Sequence, residues 1–382
     1  MNSRTERFGD WSVLHALAQS GRVGGMRPFF AGPNVGRRMA KVRTSIEQVR
    51  RKGDRYGEFM AELEAMLAQQ GLGSDRHDEL GRRVSSLFAS RKDWIDRPGA
   101  TRDAATDYDA IRLYTSDQGY RHIFSVVNGI FRSEIPADFA RFVVSAVFLV
   151  ELLNIDLYNY CWRHPDASHF ERVVYRGMCV NREDFRVFSR ILHQPAAERY
   201  ISIPLGLVST STRRAEAEYF LKTRLRDDSS LFPLLWKIQV EGMGSDLLDA
   251  YHSRFPTSVV STICAVPVSG LSNYPHEQEV LLRGPFVQVL NVMRSGMVEG
   301  KPLHVLEAVM LNGNRDHFST TRLGEDDGLA RELFGSIAGL RRNQLCFEYC
   351  KRHGLRDDAA VYREQVEASE LRLRELEGSS LG

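Results

Sequence analysis

Residues 272–282 read Ser-Asn-Tyr-Pro-His-Glu-Gln-Glu-Val-Leu-Leu. The apolar run at 280–282 predicts a strand, and two carboxylates, Glu277 and Glu279, precede it one residue apart. Because residues i and i+2 of a strand point to the same face, we expect both carboxylates to project into one space. Like charges this close resist joint ionisation, which favours a cationic group or a developing positive charge between them. A solvated strand edge is the alternative interpretation.

Two upstream stretches place polar residues beside short, β-rich runs. Residues 172–178 read Arg-Val-Val-Tyr-Arg-Gly-Met, with Arg176 inside the run and a glycine directly after it. Residues 204–212 read Pro-Leu-Gly-Leu-Val-Ser-Thr-Ser-Thr, an apolar strand that ends in hydroxyl side chains. Taken separately, an arginine on a strand is typical of a surface cation, and Ser-Thr-Ser is typical of a turn or helix cap.

In combination, the three stretches form a more specific pattern. Tyr-Arg-Gly at 175–177, Ser-Thr-Ser at 209–211 and Glu-x-Glu at 277–279 resemble, in this order, the Arg-Ser-Glu class of mono-ADP-ribosyltransferases. Members of this class move ADP-ribose from NAD onto a protein side chain. Glu at the first position of the third motif looks like the arginine-modifying subgroup. The resemblance covers about residues 107–295.

The pattern around these motifs indicates an α+β fold. From Arg172 to about Met310 the helical period gives way to short β runs, with one clear helix at Ala215–Lys222. Such runs predict a split, mixed β-sheet with flanking helices, and the resemblance implies an ADP-ribosyltransferase fold with a preceding helical lobe. No Gly-x-Gly-x-x-Gly follows a strand, so a doubly wound nucleotide fold is not expected. The predicted strands are Val173–Met178, Leu205–Ser211, Leu234–Val240, Val259–Cys264, Glu279–Arg283, Phe286–Met293 and Leu303–Met310.

Three regions are expected along the chain. Residues 1–100 form a basic, partly helical N-terminal extension, since residues 1–60 hold 12 Lys/Arg against 5 Asp/Glu. Residues 107–311 form the catalytic domain, with a strongly apolar helix at Phe139–Leu157. Residues 312–382 form a C-terminal tail with two helices, Leu329–Cys350 and Tyr362–Leu376. We expect the second helix to pack on the catalytic domain, and pairing with a partner is the alternative.

The composition indicates a soluble protein. The 382 residues carry a formal net charge of +2, so neither a nucleic acid nor a membrane is indicated as a partner. The longest apolar run, Phe142–Ile155, contains Glu151 and is too short to span a bilayer, and no signal peptide is evident. The five cysteines are few and mostly set in apolar runs, which indicates burial and neither disulfides nor a metal site. We expect a cytoplasmic protein or one delivered without a cleaved signal.

The two glutamates match the chemistry that the resemblance implies. Cleavage of the nicotinamide–ribose bond develops positive charge on the sugar, and a fixed carboxylate is the matching counter-charge. By resemblance, this group is Glu279. An acceptor guanidinium is protonated at physiological pH, so a second carboxylate must orient it and take its proton. Glu277 has the right type and placement for that role, whereas glutamine there would not act as a base.

The other catalytic candidates lie on the two upstream motifs. Arg176 suits the diphosphate of NAD because a guanidinium presents two aligned donors. Gly177 would let the nicotinamide amide approach the strand backbone closely. By resemblance, Ser209 supports the catalytic glutamate and also borders the NAD site, while Ser211 is structural.

Further candidates follow from the resemblance alone. Tyr114, in a segment that reads Ala110-x-x-x-Tyr-Thr, is expected to pack against NAD, and an ordinary core tyrosine is the alternative. Ser272 is expected to contact NAD. Tyr274 lies near the tip of the loop that occupies the acceptor-recognition position.

Three functional hypotheses follow. The first is transfer of ADP-ribose from NAD, as substrate, to arginine side chains of a protein acceptor, with release of nicotinamide and no metal. The second is an NAD glycohydrolase, in which water replaces the acceptor and Glu279 suffices. The third is a non-catalytic binding module on the same fold. The intact set of Arg176, Ser209, Glu277 and Glu279 argues against this third hypothesis.

Overall fold

The computed structural model describes most of the chain after residue 107. The described residues are 108–120, 163–202, 207–255, 258–260, 264–313, 318–320 and 327–378, with Ala65 and isolated positions between 124 and 161. Apart from Ala65, the predicted extension 1–100 lies outside the described residues. The predicted helix Phe139–Leu157 is described only in part, and its described positions are helical: Leu149, Val150, Leu153, Asp156 and Leu157.

A mixed β-sheet forms the centre of the described structure. Its strands are β1 (Val173–Val180), β2 (Tyr200–Ser202), β3 (Leu207–Ser211), β4 (Phe232–Glu241), β6 (Ala265–Pro267), β7 (Glu279–Arg283), β8 (Phe286–Val298) and β9 (Lys301–Leu311). They are ordered β2-β8-β9-β4-β1-β3-β7-β6 in one eight-stranded sheet. β4 and β9 run parallel, and the other ladders of this sheet are antiparallel. The predicted α+β class with a mixed sheet is confirmed.

Helices accompany the sheet. The longer ones in the described ranges are α1 (Asp109–Tyr114), α2 (Arg182–Arg190), α3 (Arg214–Asp227), α4 (Ser245–Arg254), α5 (Asp327–Arg352) and α6 (Arg356–Gly378), and two short helices lie at Asp117–Gly119 and Pro165–Ser168. The predicted helix Ala215–Lys222 corresponds to α3, which is longer at its C-terminal end. Its buried residues Ala217, Leu221 and Leu225 recur every fourth position, so one apolar face continues beyond Lys222.

The hydrophobic core is divided between the two faces of β4. Leu234, Trp236 and Ile238 belong to the larger core, whereas Leu235 packs into the core beneath α3. Side chains alternate between the faces of a strand, and both faces here are covered. This explains why β4 reads as a nearly continuous apolar run.

The sheet is split next to β1. β1 pairs with β4 over its whole length, from Val173 to Val180, but it pairs with β3 only through Tyr175 and Ser211. β3 then pairs with β7, with Ser211 opposite Glu279 and Ser209 opposite Leu281. Opposed residues of an antiparallel pair share a face, so the side chains of Ser209, Ser211 and Glu279 lie on one face of this half-sheet. The predicted split sheet is therefore present at the level of β1 and β3.

The C-terminal helices pack on the rest of the fold. α5 and α6 correspond to the predicted helices Leu329–Cys350 and Tyr362–Leu376. The Tyr362 hydroxyl, on α6, donates to the Ala196 carbonyl at 2.9 Å. Arg199 forms an ion pair with Asp358 at 2.6 Å. Helix α6 thus contacts the segment that leads into β2 through Tyr362 and Asp358.

The prediction of one strand at Val259–Cys264 is wrong in its bounds. β5 (Ser258–Val260) pairs with β10 (Phe318–Thr320) in a separate two-stranded sheet. Cys264 lies outside any strand, and β6 follows it in the main sheet. Sequence reasoning also missed β2, β6 and β10. Strands of three residues are too short to show a period of two.

Two further observations concern disulfides and membrane-spanning helices. The five cysteines, all within the described residues, form no disulfide. Every helix in the described ranges is too short or too polar to cross a membrane.

Candidate active site

Glu279 opens β7, while Glu277 lies before the strand. Glu277 is the last residue of a 3₁₀ turn, Pro275–Glu277, and Gln278 between the two glutamates is left-handed with φ 47°. The expectation that both carboxylates share one strand face is therefore wrong. Pro275 starts the turn and the left-handed Gln278 ends it, so strand geometry begins only at Glu279.

Hydroxyl groups at the C-terminal end of β3 hold this turn against the sheet. The Ser211 hydroxyl donates to the Glu277 carbonyl at 2.6 Å, and the Thr212 hydroxyl donates to the Gln278 side-chain oxygen at 2.7 Å. Arg213 donates through Nη1 to the His276 carbonyl at 2.9 Å. The Ser-Thr-Ser motif thus fixes the backbone that carries Glu277, in line with a structural role for Ser211.

Ser209 connects three of the predicted site residues. Arg176 Nη1 donates to the Ser209 carbonyl at 2.6 Å. Ser209 Oγ lies 2.9 Å from the Tyr114 hydroxyl, and it shares a sheet face with Glu279, whose pKa it lowers through a hydrogen bond. The structure therefore brings Arg176, Ser209, Glu279 and Tyr114 together where β1 and β3 diverge.

The electrostatic surroundings set the protonation of Glu279. Desolvation of its carboxyl group raises the pKa of Glu279 from 4.5 to about 7. The hydrogen bond from Ser209 and the positive charge of Arg176 lower this pKa, whereas the negative charge of Glu277 raises it. A carboxyl group with a pKa near neutrality is typical of an active site.

The pKa of Glu277 is raised as well. Burial is the main cause, and the nearby charge of Glu216 adds to it, while His276 lowers the pKa. A carboxylate with a raised pKa is a stronger proton acceptor than an exposed one, so Glu277 is suited to act as a base.

Packing requires a glycine at position 177, which the sequence did not reveal. A Cβ at this position would lie 2.0 Å from the Ala217 carbonyl oxygen and 2.8 Å from Leu221 Cγ. Helix α3 therefore packs directly on the backbone of β1 at Gly177. The contact of Gly177 with nicotinamide stays a prediction.

Tyr114 is buried, with 1% of its surface exposed. Its ring packs edge-on against Phe124 and Tyr120, with centroids 4.8 and 5.9 Å away. The predicted packing of Tyr114 against NAD stays a prediction, and the hydrogen bond to Ser209 is a contact that sequence reasoning missed.

Ser272 and Tyr274 lie on the loop before the turn. The Ser272 hydroxyl accepts a hydrogen bond from the Tyr274 amide at 3.0 Å, so it shapes the loop. The Tyr274 side chain is exposed and its ring lies edge-on to His276 at 6.2 Å. Their predicted contacts with NAD and the acceptor stay predictions.

Sequence reasoning missed two charged residues at the start of α3. Arg213 Nη1, which donates to the His276 carbonyl, also lies 3.3 Å from a carboxylate oxygen of Glu216. The charge of Glu216 in turn acts on Glu277. The only signal in the sequence is an ion pair spaced i, i+3 after Ser-Thr-Ser, which is common on helix surfaces. Across the described part of the chain, no group of His, Cys, Asp and Glu side chains is arranged to hold a metal ion.

Comparisons with known proteins give structural likenesses only. No protein-family model matches the chain, and no curated protein matches its sequence. The type III effector XopAI from Xanthomonas axonopodis pv. citri is 12% identical, with a TM-score of 0.38 over 74% of this chain and 94% of its own. The Vis toxin, an ADP-ribosyltransferase from Vibrio splendidus, is 14% identical, with a TM-score of 0.34 over 61% and 85%.

A third solved structure, the ADP-ribosyltransferase HopU1 of Pseudomonas syringae pv. tomato DC3000, is 15% identical. Its TM-score is 0.33, over 66% of this chain and 97% of its own. At TM-scores this low, the function proposed below rests on the geometry of the site and not on these likenesses.

Proposed function

We propose that this protein transfers ADP-ribose from NAD to arginine side chains of a protein acceptor and releases nicotinamide. The observation that carries the proposal is the meeting of Arg176, Ser209 and Glu279 at the split of the sheet. Arg176 donates to the Ser209 carbonyl at 2.6 Å, and the Ser209 side chain is hydrogen-bonded to Glu279. Arg176, a cation suited to bind a diphosphate, and Glu279, a carboxylate suited to stabilise a sugar cation, thus both lie next to Ser209.

Glu279 supplies the counter-charge for bond cleavage. The bond between ribose C1 and the nicotinamide nitrogen breaks, and its electron pair leaves with nicotinamide. Positive charge then develops on the ribose ring, and an ionised carboxylate held by Ser209 stabilises it. The reaction therefore needs Glu279 in its ionised form.

Arg176 is suited to hold the diphosphate. A guanidinium has five N–H donors in a planar fork, and only one nitrogen is accounted for by the bond to the Ser209 carbonyl. Bidentate contact with phosphate oxygens is the geometry that arginine favours. Arg176 would place the diphosphate beside Glu279, because both residues contact Ser209.

Glu277 supports arginine as the acceptor. The new bond forms between ribose C1 and a guanidinium nitrogen, and the proton of that nitrogen passes to a base. The raised pKa of Glu277 suits it to take this proton. Its turn is fixed by Ser211 and Arg213, and the charge of its carboxylate acts on Glu279.

The test uses NAD labelled in its adenylate portion and agmatine as a soluble guanidinium acceptor. We expect label on agmatine. Label only in ADP-ribose would favour the NAD glycohydrolase, and unchanged NAD would favour the binding module.

The variant Glu277→Gln tests the assignment of the acceptor base. It should lose transfer to agmatine by about 10²-fold or more, because glutamine cannot accept the proton, yet it should retain NAD hydrolysis. Glu218→Gln is the matched control, since Glu218 lies on the neighbouring helix α3 and pairs with Arg214. Normal transfer by Glu277→Gln would show that Glu277 is not the base.

A further inference from the structure

The Tyr114 hydroxyl lies two hydrogen bonds from the Glu279 carboxylate. It is 2.9 Å from Ser209 Oγ, and the register of β3 and β7 places the side chains of Ser209 and Glu279 on one face of the sheet, where a hydrogen bond from Ser209 lowers the pKa of Glu279. The ring of Tyr114 is 1% exposed and packs edge-on against Phe124 and Tyr120. A buried ring packed against two aromatic neighbours has few alternative rotamers, so its hydroxyl is fixed in place.

The directions of these hydrogen bonds follow from counting hydrogens. A serine hydroxyl has one hydrogen, and an ionised carboxylate has none to donate. When Glu279 is ionised, Ser209 must use its single hydrogen for Glu279. Ser209 can then only accept from Tyr114, so the Tyr114 hydroxyl must be the donor of the 2.9 Å contact.

Ser209 is fixed by two different groups. Arg176 holds its backbone through the carbonyl oxygen at 2.6 Å, and Tyr114 holds its side chain. The bond from Arg176 to the Ser209 carbonyl does not restrict rotation of the serine hydroxyl about its C–O bond. A donor at Oγ does restrict it, because the serine hydrogen must then point away from that donor and towards another acceptor. That acceptor is Glu279.

We propose that Tyr114 is a positioning residue that acts through Ser209 to direct a hydrogen bond onto the ionised carboxylate of Glu279. Its hydroxyl donates to Ser209, which polarises the serine O–H and strengthens the bond to the carboxylate. This inference rests on the proposed function, because it concerns the carboxylate that stabilises the sugar cation. It assigns the role to the Tyr114 hydroxyl, whereas packing against NAD would require only the ring.

Tyr114→Phe separates these two roles because it keeps the ring and removes the hydroxyl. With the donor gone, the bond from Ser209 to Glu279 weakens and Glu279 holds its proton more tightly. The acid limb of the NAD cleavage rate should move to higher pH by about half a unit, and kcat at pH 7 should fall about twofold. KM for NAD should not change. Tyr120→Phe, which removes a hydroxyl from the same aromatic cluster, should leave both the limb and kcat unchanged.

A direct titration tests the same link without any reaction. The full-length protein, labelled with carbon-13 in the glutamate carboxyl groups, is titrated by NMR, and the Glu279 signal is assigned by its loss in Glu279→Gln. Its midpoint should rise in Tyr114→Phe. Ser209→Ala should raise it at least as far, and adding Tyr114→Phe to Ser209→Ala should change nothing more, because the two act as one chain.

The outcomes separate this inference from the proposed function. If the wild-type protein cleaves no NAD but the Glu279 midpoint still rises in Tyr114→Phe, the proposed function fails and the link through Ser209 stands. If the midpoint in Tyr114→Phe equals that of the wild type, or if Tyr114→Phe shifts it equally in the Ser209→Ala background, the inference is overturned.

Discussion

At the scale of single residues, the chemistry centres on one carboxyl group that is costly to ionise. Desolvation raises the pKa of Glu279 to about 7. The hydrogen bond from Ser209 and the charge of Arg176 keep this pKa from rising further. An exposed carboxylate would be ionised at every physiological pH but would be screened by water. Partial burial makes its charge more effective towards a cation on the sugar.

This pKa predicts the pH dependence of the reaction. In the proposed function only ionised Glu279 stabilises the sugar cation, so NAD cleavage should rise with pH through about 7 and fall as the pH drops below that value. The rate of nicotinamide release, measured from pH 5 to 9, gives the midpoint.

A second prediction concerns the charge of Glu277. Because this charge raises the pKa of Glu279, Glu277→Gln should move the midpoint of NAD hydrolysis to lower pH. Glu218→Gln should not move it. A midpoint that stays in place or moves to higher pH in Glu277→Gln would contradict the electrostatic coupling of the two carboxylates.

That Arg176, Ser209 and Glu279 lie together could be predicted from the sequence, but their mutual geometry could not. Arg176, Ser209 and Glu279 are brought together as the motif pattern indicates. The contact between the Tyr114 hydroxyl and Ser209 could not be predicted from the sequence, because 95 residues separate the two in the chain. Contacts of this range depend on the packing of a whole lobe, which local patterns do not encode.

At the scale of elements, the site depends on how α3 and the turn Pro275–Glu277 meet β3. The alternation rule placed Glu277 on a strand, but Gln278 is left-handed and the strand begins at Glu279. Pro275 was a visible signal for a turn. The apolar run after Glu279 suggested a strand that extended further back than it does.

Helix α3 also requires a glycine on β1, which gives a stability prediction. Gly177→Ala would bring Cβ to 2.0 Å from the Ala217 carbonyl oxygen, so helix and strand must move apart. We expect a loss of about 1–3 kcal/mol in the free energy of unfolding, measured by urea denaturation.

The matched control is Gly335→Ala on α5, where an added Cβ meets nothing within 4 Å. Alanine has the higher helix propensity, so this variant should be as stable as the wild type or more stable. Equal stability of Gly177→Ala and the wild type would show that α3 does not pack on β1 as described.

At the scale of the whole molecule, the C-terminal helices are tied to the sheet. Tyr362 is 1% exposed and lies in a buried cluster with Leu290, Val309 and Cys346. The long strands and both tail helices could be predicted because their hydrophobic patterns extend over many residues, and the fold class follows from these elements. The three-residue strands could not, since they exist only through pairing with distant partners.

This packing predicts that the C-terminal helices stabilise the sheet region. Tyr362→Ala should lower the free energy of unfolding by about 3–5 kcal/mol, whereas Tyr362→Phe should lose only about 1 kcal/mol with its bond to Ala196. Urea denaturation followed by tryptophan fluorescence measures both. A loss of less than 1 kcal/mol in Tyr362→Ala would mean that α6 is not part of the cooperative unit.

The central claim is that Glu279 stabilises the charge that develops when NAD is cleaved. The most direct measurement is the rate of nicotinamide release from saturating NAD by the wild type and by Glu279→Gln, together with the Kd for NAD of each. We predict that Glu279→Gln loses about 10²–10³ in rate while its Kd for NAD stays within a few-fold of the wild type. Release of nicotinamide by Glu279→Gln at the wild-type rate would contradict the claim.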